Sequence, residues 1–193
     1  DFIFHLASQS LVYKSYTNPL DTISTNTFGT VNILEAIRDI KKSVVVVMIT
    51  SDKVYNNIES KLGYSEKDPL GGKDPYSASK GMAEFAISTY VNSYFKSSES
   101  HVRLGIARSG NVIGGGDWAT GRIVPDCMKS WSTKKVVDIR NPNSTRPWQH
   151  VLETLRGYLV LGRELAKESI SQGEAYNFGP PFNNKNYSVH ELI

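Results

Sequence analysis

The chain has 193 residues, of which 39% are hydrophobic and 21% are charged, a composition typical of a globular domain with an apolar core. The net charge of +3 comes from scattered Lys and Arg residues, so no nucleic-acid partner and no membrane partner is predicted. The single cysteine, Cys127, excludes an intrachain disulfide and predicts a cytoplasmic protein, and the four well-separated histidines predict no metal site.

Strand and helix patterns alternate along the first half of the chain. A strand is predicted over residues 1–7, and a long helix with a wide apolar stripe is predicted within 19–41. Val44–Ile49 is a run of six apolar, mostly β-branched residues, which is typical of a parallel strand covered on both faces. A helix predicted from Asp74-Pro75 to about Phe95 begins with Asp as its cap and Pro in its first turn.

The second half of the chain continues the alternation with shorter elements. A strand over 102–109 leads into a glycine-rich loop at 110–121. The remaining predicted elements are a helix near 122–133, a strand near 135–139, a helix near 151–167 and a strand near 174–178. This order predicts an α/β fold built on a doubly wound parallel sheet with helices on both faces.

Polar residues directly follow three of the predicted strands. Ligands of open parallel sheets bind at the carboxyl ends of the strands, so these residues are the first candidates for a site. They are Ala7-Ser-Gln9 after the first strand, Thr50-Ser-Asp-Lys53 after the second and Gly110-Asn111 after the third. Ordinary loop solvation explains any one set, but three sets at one sheet edge indicate a functional site.

Tyr76 and Lys80 lie four residues apart near the start of the predicted long helix. This spacing places both side chains on one helix face, where an ammonium favours the phenolate and lowers the tyrosine pKa. A base that works near neutral pH requires such a shift. Pairs with this spacing also occur by chance on solvated helix faces, so the spacing alone leaves both interpretations open.

A hydroxyl residue after an apolar strand, followed about 25 residues later by Tyr-x-x-x-Lys, resembles the short-chain dehydrogenase/reductase family. Three strings are similar to the extended branch of this family: His5-Leu-Ala-Ser-Gln9, Asn26-Thr-Phe-Gly-Thr-Val-Asn-Ile-Leu-Glu-Ala36 and Asn177-Phe-Gly179. The resemblance implies a Rossmann-like fold, NAD as the cofactor, and a redox site of Tyr76, Lys80 and either Ser51 or Thr50. The implied cofactor contacts are Leu6, Ala7, Gln9, Asn26, Tyr76 and Lys80.

The segment after the second strand indicates the type of reaction. Dehydratases of the extended branch read approximately Thr-Asp-Glu-Val-Tyr where this chain reads Ser51-Asp-Lys-Val-Tyr55. The lysine departs from the dTDP-glucose enzymes and is similar to the CDP-glucose 4,6-dehydratase subfamily. Three long strings carry the same resemblance: Asp68-Pro-Leu-Gly-Gly-Lys-Asp-Pro-Tyr-Ser77, Gly110-Asn-Val-Ile-Gly-Gly-Gly-Asp-Trp118 and Ile139-Arg-Asn-Pro-Asn-Ser-Thr-Arg-Pro-Trp-Gln-His-Val151.

The resemblance implies the conversion of CDP-glucose to CDP-4-keto-6-deoxyglucose and water. Tyr76, assisted by Lys80 and Ser51, is implied to take the C4 hydroxyl proton, and Asp52 to protonate the departing C6 hydroxyl. Lys53 either removes the C5 proton as a neutral base or stabilises the enolate as a cation. A dehydratase or epimerase acting on another nucleotide sugar, and a non-catalytic binding module that retains the fold, remain as alternatives.

Substrate contacts are implied farther along the chain. The resemblance implies that Asn111 contacts the phosphates of the nucleotide and that Arg146 pairs with its diphosphate. A guanidinium suits the role of Arg146 because it can pair with phosphate in a bidentate manner. Arg122 and Arg140 are further candidates, for which surface salt bridges are an equal interpretation. We expect residues 1–110 to form the NAD-binding part and 111–193 to intertwine substrate-binding segments with the last strand.

The family's glycine-rich dinucleotide fingerprint belongs before the strand with which this chain begins. We therefore expect the chain to lack the first strands of the fold and part of the C-terminal substrate domain. Relatives pair through the long helix that contains Tyr76, which implies a homodimer or a homotetramer. The apolar residues of this helix face either a partner or the sheet: Phe85, Tyr90, Val91, Tyr94 and Phe95.

Overall fold

The computed structural model of the protein describes residues 1–60, 63–181 and 187–193. The strands in this part of the chain are β1 (Phe2–His5), β2 (Val44–Ile49), β3 (Val102–Ser109), β4 (Val112–Ile113), β5 (Thr145–Arg146), β6 (Gln149–His150), β7 (Ala175–Phe178) and β8 (Tyr187–Ser188). The α-helices are α1 (Val12–Thr17), α2 (Pro19–Ile23), α3 (Gly29–Arg38), α4 (Pro75–Tyr90), α5 (Ile123–Ser132), α6 (Val151–Ala166) and α7 (Val189–Leu192).

The chain divides into two compact units. The first comprises Asp1–Ser109 and Arg156–Phe178, and the second comprises Gly110–Leu155 and Gly179–Ile193. None of the helices in the described ranges is both long enough and apolar enough to cross a membrane.

The first unit is built around a parallel sheet with the strand order β1-β2-β3-β7. Phe4 pairs with Val47 in the register of β1 and β2, and Ile49 pairs with Ala107 in that of β2 and β3. Ala107 pairs in turn with Tyr176 of β7. Because all four strands run in one direction, their carboxyl ends lie along one edge of the sheet.

Both faces of this sheet are covered, as the apolar run in β2 predicts. Alternate residues of a strand point to opposite faces. Val44, Val46 and Met48 belong to a buried cluster that also contains Leu34 and Ile37 of α3 and Ile87 of α4. Val45 and Val47 belong to a second cluster, which contains residues of α6: Tyr158, Leu161 and Leu165. The predicted doubly wound parallel sheet is confirmed.

The long helix predicted within 19–41 is interrupted. A π-helical segment, Ser24–Phe28, separates α2 from α3, and a further short helix, α1, precedes Pro19. Proline at the first position of α2 begins a new helix, since its fixed φ suits a first turn and its missing N–H prevents continuation from α1. Periodicity alone does not resolve the π-helical segment, because its flanking residues Ile23 and Gly29 keep right-handed helical backbone angles and the chain continues as a helix through it.

The start of α4 agrees with the prediction. The Asp74 carboxylate accepts a hydrogen bond from the Ser77 backbone N–H at 2.9 Å and another from the Ser77 hydroxyl at 2.6 Å, and Pro75 occupies the first turn. This cap fixes the position of the first turn of α4. A π-helical segment, Val91–Phe95, extends the helix to the predicted end.

The apolar residues of this helix are divided between two environments. Val91 and Phe95 are buried in the core cluster against the sheet. Phe85 and Tyr94 are exposed to 60% and 42%. Tyr90 is half-buried and its ring contacts those of Tyr94 and Phe95. The pairing of chains through this helix stays a prediction.

The strand predicted near 135–139 is wrong. No strand pairing occurs at these positions, Val136 is 96% exposed, and a positive φ of 55° at Lys134 turns the chain after α5. Two neighbouring β-branched residues, Val136 and Val137, gave the pattern of a strand, but a strand needs a partner. In the second unit, β4 pairs with β6 in parallel and β5 pairs with β8 in antiparallel orientation.

Candidate active site

Two hydroxyl residues follow β2, and their hydrogen bonds differ. Thr50 continues the sheet register through its backbone N–H, which donates to the Ala107 carbonyl at 2.9 Å. Its hydroxyl donates to the buried Glu84 carboxylate at 2.6 Å. The Ser51 hydroxyl instead donates to the Asp52 carboxylate at 3.1 Å and accepts from the Lys53 backbone N–H at 3.2 Å. The Thr50 hydroxyl is therefore bonded to a side chain of α4, whereas the Ser51 hydroxyl is bonded to the next two residues, Asp52 and Lys53.

Tyr76 and Lys80 occupy the first turns of α4, and both are buried. The Lys80 ammonium donates to the carbonyl of Ile49, the last residue of β2, at 3.5 Å. The Lys53 ammonium lies 6.0 Å from the centroid of the Tyr76 ring. The structure thus brings the predicted residues Lys53, Tyr76 and Lys80 to the carboxyl end of β2, where Ser51 and Asp52 also lie.

The environment of Lys80 changes its acidity. Burial lowers the pKa of the Lys80 ammonium from 10.5 to about 8, and the charge of Glu84 opposes this effect. The pKa of His5, at the end of β1, is lowered by burial and also by the Lys80 charge. Since its pKa is about 8, Lys80 is mainly charged at neutral pH and retains its effect on a nearby phenol.

Replacing Lys80 with Met is expected to stabilise the fold at neutral pH. The folded chain binds the Lys80 proton less tightly than the unfolded chain, so the energetic cost is complete below pH 8 and disappears as the pH rises toward 10.5. The expected gain in unfolding free energy is roughly 1–3 kcal/mol at neutral pH and shrinks in alkali. Denaturant unfolding of the full-length protein across this pH range measures it, with the exposed Lys96→Met as control. A difference in unfolding free energy that does not change with pH would contradict the lowered pKa of Lys80.

The predicted cofactor segment after β1 is held by buried hydrogen bonds. The Asn26 side chain accepts from the Gln9 backbone N–H at 2.7 Å, and it donates to the Gln9 carbonyl at 3.0 Å and to the Ser79 hydroxyl at 2.9 Å. The Gln9 side chain bonds to Thr22 and Leu11. The polar groups of Gln9 and Asn26 thus join β1 to α4 within the protein.

Leu6 and Ala7 precede this buried network and are both exposed. They follow the last residue of β1 directly, at the same sheet edge as the end of β2. Of the residues predicted to contact the cofactor from this segment, these two present a free surface, whereas Gln9 and Asn26 hold the backbone that carries them.

A buried ion pair next to the site was not predicted. The Arg108 Nε donates to both Glu84 carboxylate oxygens, at 2.9 and 3.0 Å, and Nη2 also donates to Glu84. Arg108 Nη1 donates to the Tyr55 hydroxyl at 2.9 Å, which donates in turn to the Asn177 side chain at 2.6 Å. The available signals were a glutamate one turn after Lys80 and an arginine, Arg108, that directly follows the apolar residues Ile106 and Ala107 of β3.

The predicted substrate residues lie in the second unit. Asn111 precedes β4, and its carbonyl accepts from the Gln149 backbone N–H at 3.1 Å. Arg122 forms an ion pair with Asp117 at 3.5 Å. Arg146, on β5, is half-buried, and its guanidinium donates to the neighbouring Thr145 carbonyl at 2.8 Å. Arg140 is exposed in an irregular segment.

Known proteins similar to this chain include several nucleotide-sugar enzymes. CDP-glucose 4,6-dehydratase of Salmonella typhimurium strain LT2 is 50% identical over 183 residues, which are 93% of this chain and 51% of the relative. CDP-paratose 2-epimerase of Salmonella typhi is 25% identical over 205 residues, covering 93% of this chain and 57% of that protein. The chain spans about half the length of these curated relatives.

A solved structure of dTDP-glucose 4,6-dehydratase from Streptomyces venezuelae, with NAD and TYD bound, matches all of this chain and 55% of its own, with a TM-score of 0.83 and 25% identity. A family model described as GDP-mannose 4,6 dehydratase matches residues 1–193. The predicted resemblance to CDP-glucose 4,6-dehydratase is confirmed by the identity to the Salmonella typhimurium protein. The sheet, the residues at its edge and these similarities together show that the chain belongs to the GDP-mannose 4,6 dehydratase family.

Proposed function

We propose that the protein containing this chain dehydrates CDP-glucose to CDP-4-keto-6-deoxyglucose with NAD as its cofactor. The observation that carries the proposal is the position of Lys53, which follows Asp52 directly, near the buried Tyr76, with Lys80 bonded to the end of β2. The 50% identity to a protein named CDP-glucose 4,6-dehydratase supports the choice of substrate. A homodimer or homotetramer in the cytoplasm stays a prediction.

The edge of the sheet fits a nicotinamide nucleotide. Exposed Leu6 and Ala7 provide an apolar surface for a planar ring, and Lys80 provides a cation at the neighbouring strand end. Gln9 and Asn26 would shape this surface through their buried hydrogen bonds rather than by direct contact. The chemistry that bound NAD would supply is reversible hydride transfer, from the sugar C4 and back to C6.

The residues of the chain would move the protons. Tyr76 Oη takes the proton of the C4 hydroxyl, and the Lys80 charge favours the phenolate that this step requires. Ser51, rather than Thr50, would orient the C4 hydroxyl, because the Thr50 hydroxyl is bonded to the buried Glu84 whereas that of Ser51 is bonded to Asp52, which is itself assigned to the reaction. The Asp52 carboxyl would protonate the departing C6 hydroxyl.

Lys53 would act at C5, where the adjacent C4 ketone makes the proton acidic. The neutral amine can remove this proton, or the ammonium can stabilise the enolate. The position of Lys53, 6.0 Å from the centroid of the Tyr76 ring, supports a role for it at the carbon next to the one that Tyr76 would oxidise. Arg146 and Asn111 are proposed to bind the nucleotide diphosphate, with Arg122 and Arg140 as further contacts.

Replacing Lys53 with Ala is expected to lower kcat for product formation by about 10²–10⁴-fold, because the group that removes the C5 proton or stabilises the enolate is lost. Steady-state elimination assays with CDP-glucose measure the change, and Lys73→Ala, in an exposed position before α4, is the matched control. Lys53→Arg separates the two roles, since a guanidinium keeps the charge but does not deprotonate. Retained activity in Lys53→Arg assigns the cation role, and its loss assigns the base.

The substrate is tested by the same assay with CDP-, dTDP-, UDP- and GDP-linked hexoses. We expect elimination from CDP-glucose. Elimination only from a different nucleotide sugar would support the proposed dehydration but contradict CDP-glucose as the substrate. The similarity to a CDP-paratose 2-epimerase makes epimerisation the second candidate. Epimerised product without elimination would establish it, because epimerisation does not use the Asp52-Lys53 pair.

A further inference from the structure

Two side chains of α4 contact consecutive residues at the end of β2. The Lys80 ammonium donates to the Ile49 carbonyl at 3.5 Å, and one turn later the Glu84 carboxylate accepts from the Thr50 hydroxyl at 2.6 Å. The next residue in the chain is Ser51. The Glu84 contact therefore fixes how the segment that begins at Ser51 leaves the sheet relative to α4.

The third element at this point is β3. The Arg108 guanidinium donates to both oxygens of Glu84, and the two side chains are only 5% and 2% exposed. A bidentate pair of this kind fixes the orientation of the carboxylate as well as its distance. Glu84 is thus the one carboxylate in the described contacts that joins α4, β2 and β3 in a single buried junction.

The junction is asymmetric in charge. Lys80 and Arg108 contribute two cations, and Glu84 contributes one anion between them. The charge of Glu84 opposes the lowering of the Lys80 pKa by burial. Without this carboxylate, the ammonium would lose the anion that stabilises it, and Arg108 would keep an unpaired buried charge.

We infer that Glu84, held by Arg108 and Thr50, is a positioning residue that fixes the Lys80 ammonium and the Ser51-Asp52-Lys53 segment relative to Tyr76. This inference rests on the proposed function, because the positioned groups are those assigned to the reaction. Glu84 acts through these neighbours: both of its carboxylate oxygens accept hydrogen bonds from Arg108, and one of them also accepts from Thr50. Its removal loosens the segment after β2 and changes the charge balance at Lys80.

The test uses the full-length protein with Glu84→Gln and Thr50→Val. Glu84→Gln removes the charge, and Thr50→Val removes only the hydroxyl that joins β2 to Glu84. Glu35→Gln, an exposed member of the surface pair with Arg38, is the control. Hydrogen–deuterium exchange read by mass spectrometry is expected to be faster at residues 49–55 in both variants. Exchange in α3 and α6 is expected to match the unmodified protein.

Kinetics give the second measurement. We expect kcat to fall by about 10–100-fold in Glu84→Gln with the KM for the nucleotide sugar unchanged, because misplaced groups slow the chemical step rather than binding. The alkaline limb of the kcat profile moves to lower pH, because Lys80 then deprotonates more readily. The charge of Glu84 on α4 acts on Lys80, and the charge of Lys80 acts on His5 on β1. The other charged or titratable groups of the junction and of the segment after β2 are Asp52, Lys53, Tyr76 and Arg108.

The two hypotheses fail in different ways. No product from the unmodified protein would overturn the proposed function, while the exchange at residues 49–55 would still decide the role of Glu84. Unchanged exchange there, or faster exchange spread evenly over the sheet, would overturn the inference, as would an unchanged kcat in an active enzyme. If Glu84→Gln does not fold, Thr50→Val decides by the same criteria.

Discussion

Replacing Tyr76 with Phe is expected to lower kcat for elimination by about 10²–10⁴-fold, the usual contribution of a positioned acid–base group. The substitution removes only the hydroxyl, so the ring near Lys53 and the packing at the start of α4 are retained. Binding of the nucleotide sugar is expected to change little, because the loss concerns proton transfer from the C4 hydroxyl. Steady-state kinetics and calorimetric titration of the full-length protein measure the two effects separately.

Tyr90→Phe is the matched control for this experiment. Tyr90 lies on the same helix, but its hydroxyl donates to Glu35 on α3, away from the sheet edge. Full activity in Tyr90→Phe with loss in Tyr76→Phe would support the assignment of the base. If Tyr76→Phe retained most of its activity, another group would have to take the C4 proton, and the proposed reaction centre would be wrong.

The second large effect is expected for stability. Arg108→Met should lower the free energy of unfolding by about 3–5 kcal/mol, since removing one partner of a buried ion pair leaves the other charge without compensation. Here the uncompensated group would be Glu84, which is 2% exposed. The substitution also removes the donor to the Tyr55 hydroxyl and to the Glu66 carbonyl, at 2.9 and 3.0 Å. Denaturant unfolding of the full-length protein measures the change.

A surface ion pair in the same unit provides the comparison. Arg38 and Glu35 are 3.0 Å apart on α3, with side chains 37% and 45% exposed. Exposed pairs contribute about 0–1 kcal/mol, so Arg38→Met should change stability within that range. Equal effects of the Arg38 and Arg108 substitutions would show that the buried pair is not the rigid junction described above.

Much of the fold could be predicted from local sequence. The apolar run Val44–Ile49 predicted a strand covered on both faces, and Asp74-Pro75 predicted the start of α4, because these features depend on neighbouring residues. The strand near 135–139 was predicted wrongly since pairing depends on residues far away in the chain. The π-helical segment Ser24–Phe28 was missed because the backbone stays helical through it, as the right-handed helical angles of the flanking residues Ile23 and Gly29 show.

The candidate site likewise contains some features that local sequence predicts and others that depend on distant residues. The spacing of Tyr76 and Lys80 predicts that they share a helix face, but their assignment to a redox site came from the family resemblance. Their proximity to the end of β2 follows from the order of the elements. The pairing of Glu84 with Arg108 could not be read from the sequence, since the two residues are brought together only when β3 lies next to β2 beneath α4. The interior hydrogen bonds of Asn26 were likewise hidden, because they join segments far apart in the chain.

The neighbouring hydroxyls at the end of β2 restrict how this segment can vary in length. Thr50 donates to Glu84 in the interior, whereas Ser51 donates to Asp52, and β2 is held in fixed register against β3. Insertion of one residue within β2 would move Thr50 to the position of Ser51, and deletion of one would move Ser51 to the position of Thr50, so the arrangement at Glu84 and Asp52 would be lost in either case. Homologous proteins should therefore differ here by substitution, with insertions and deletions confined to other parts of the chain.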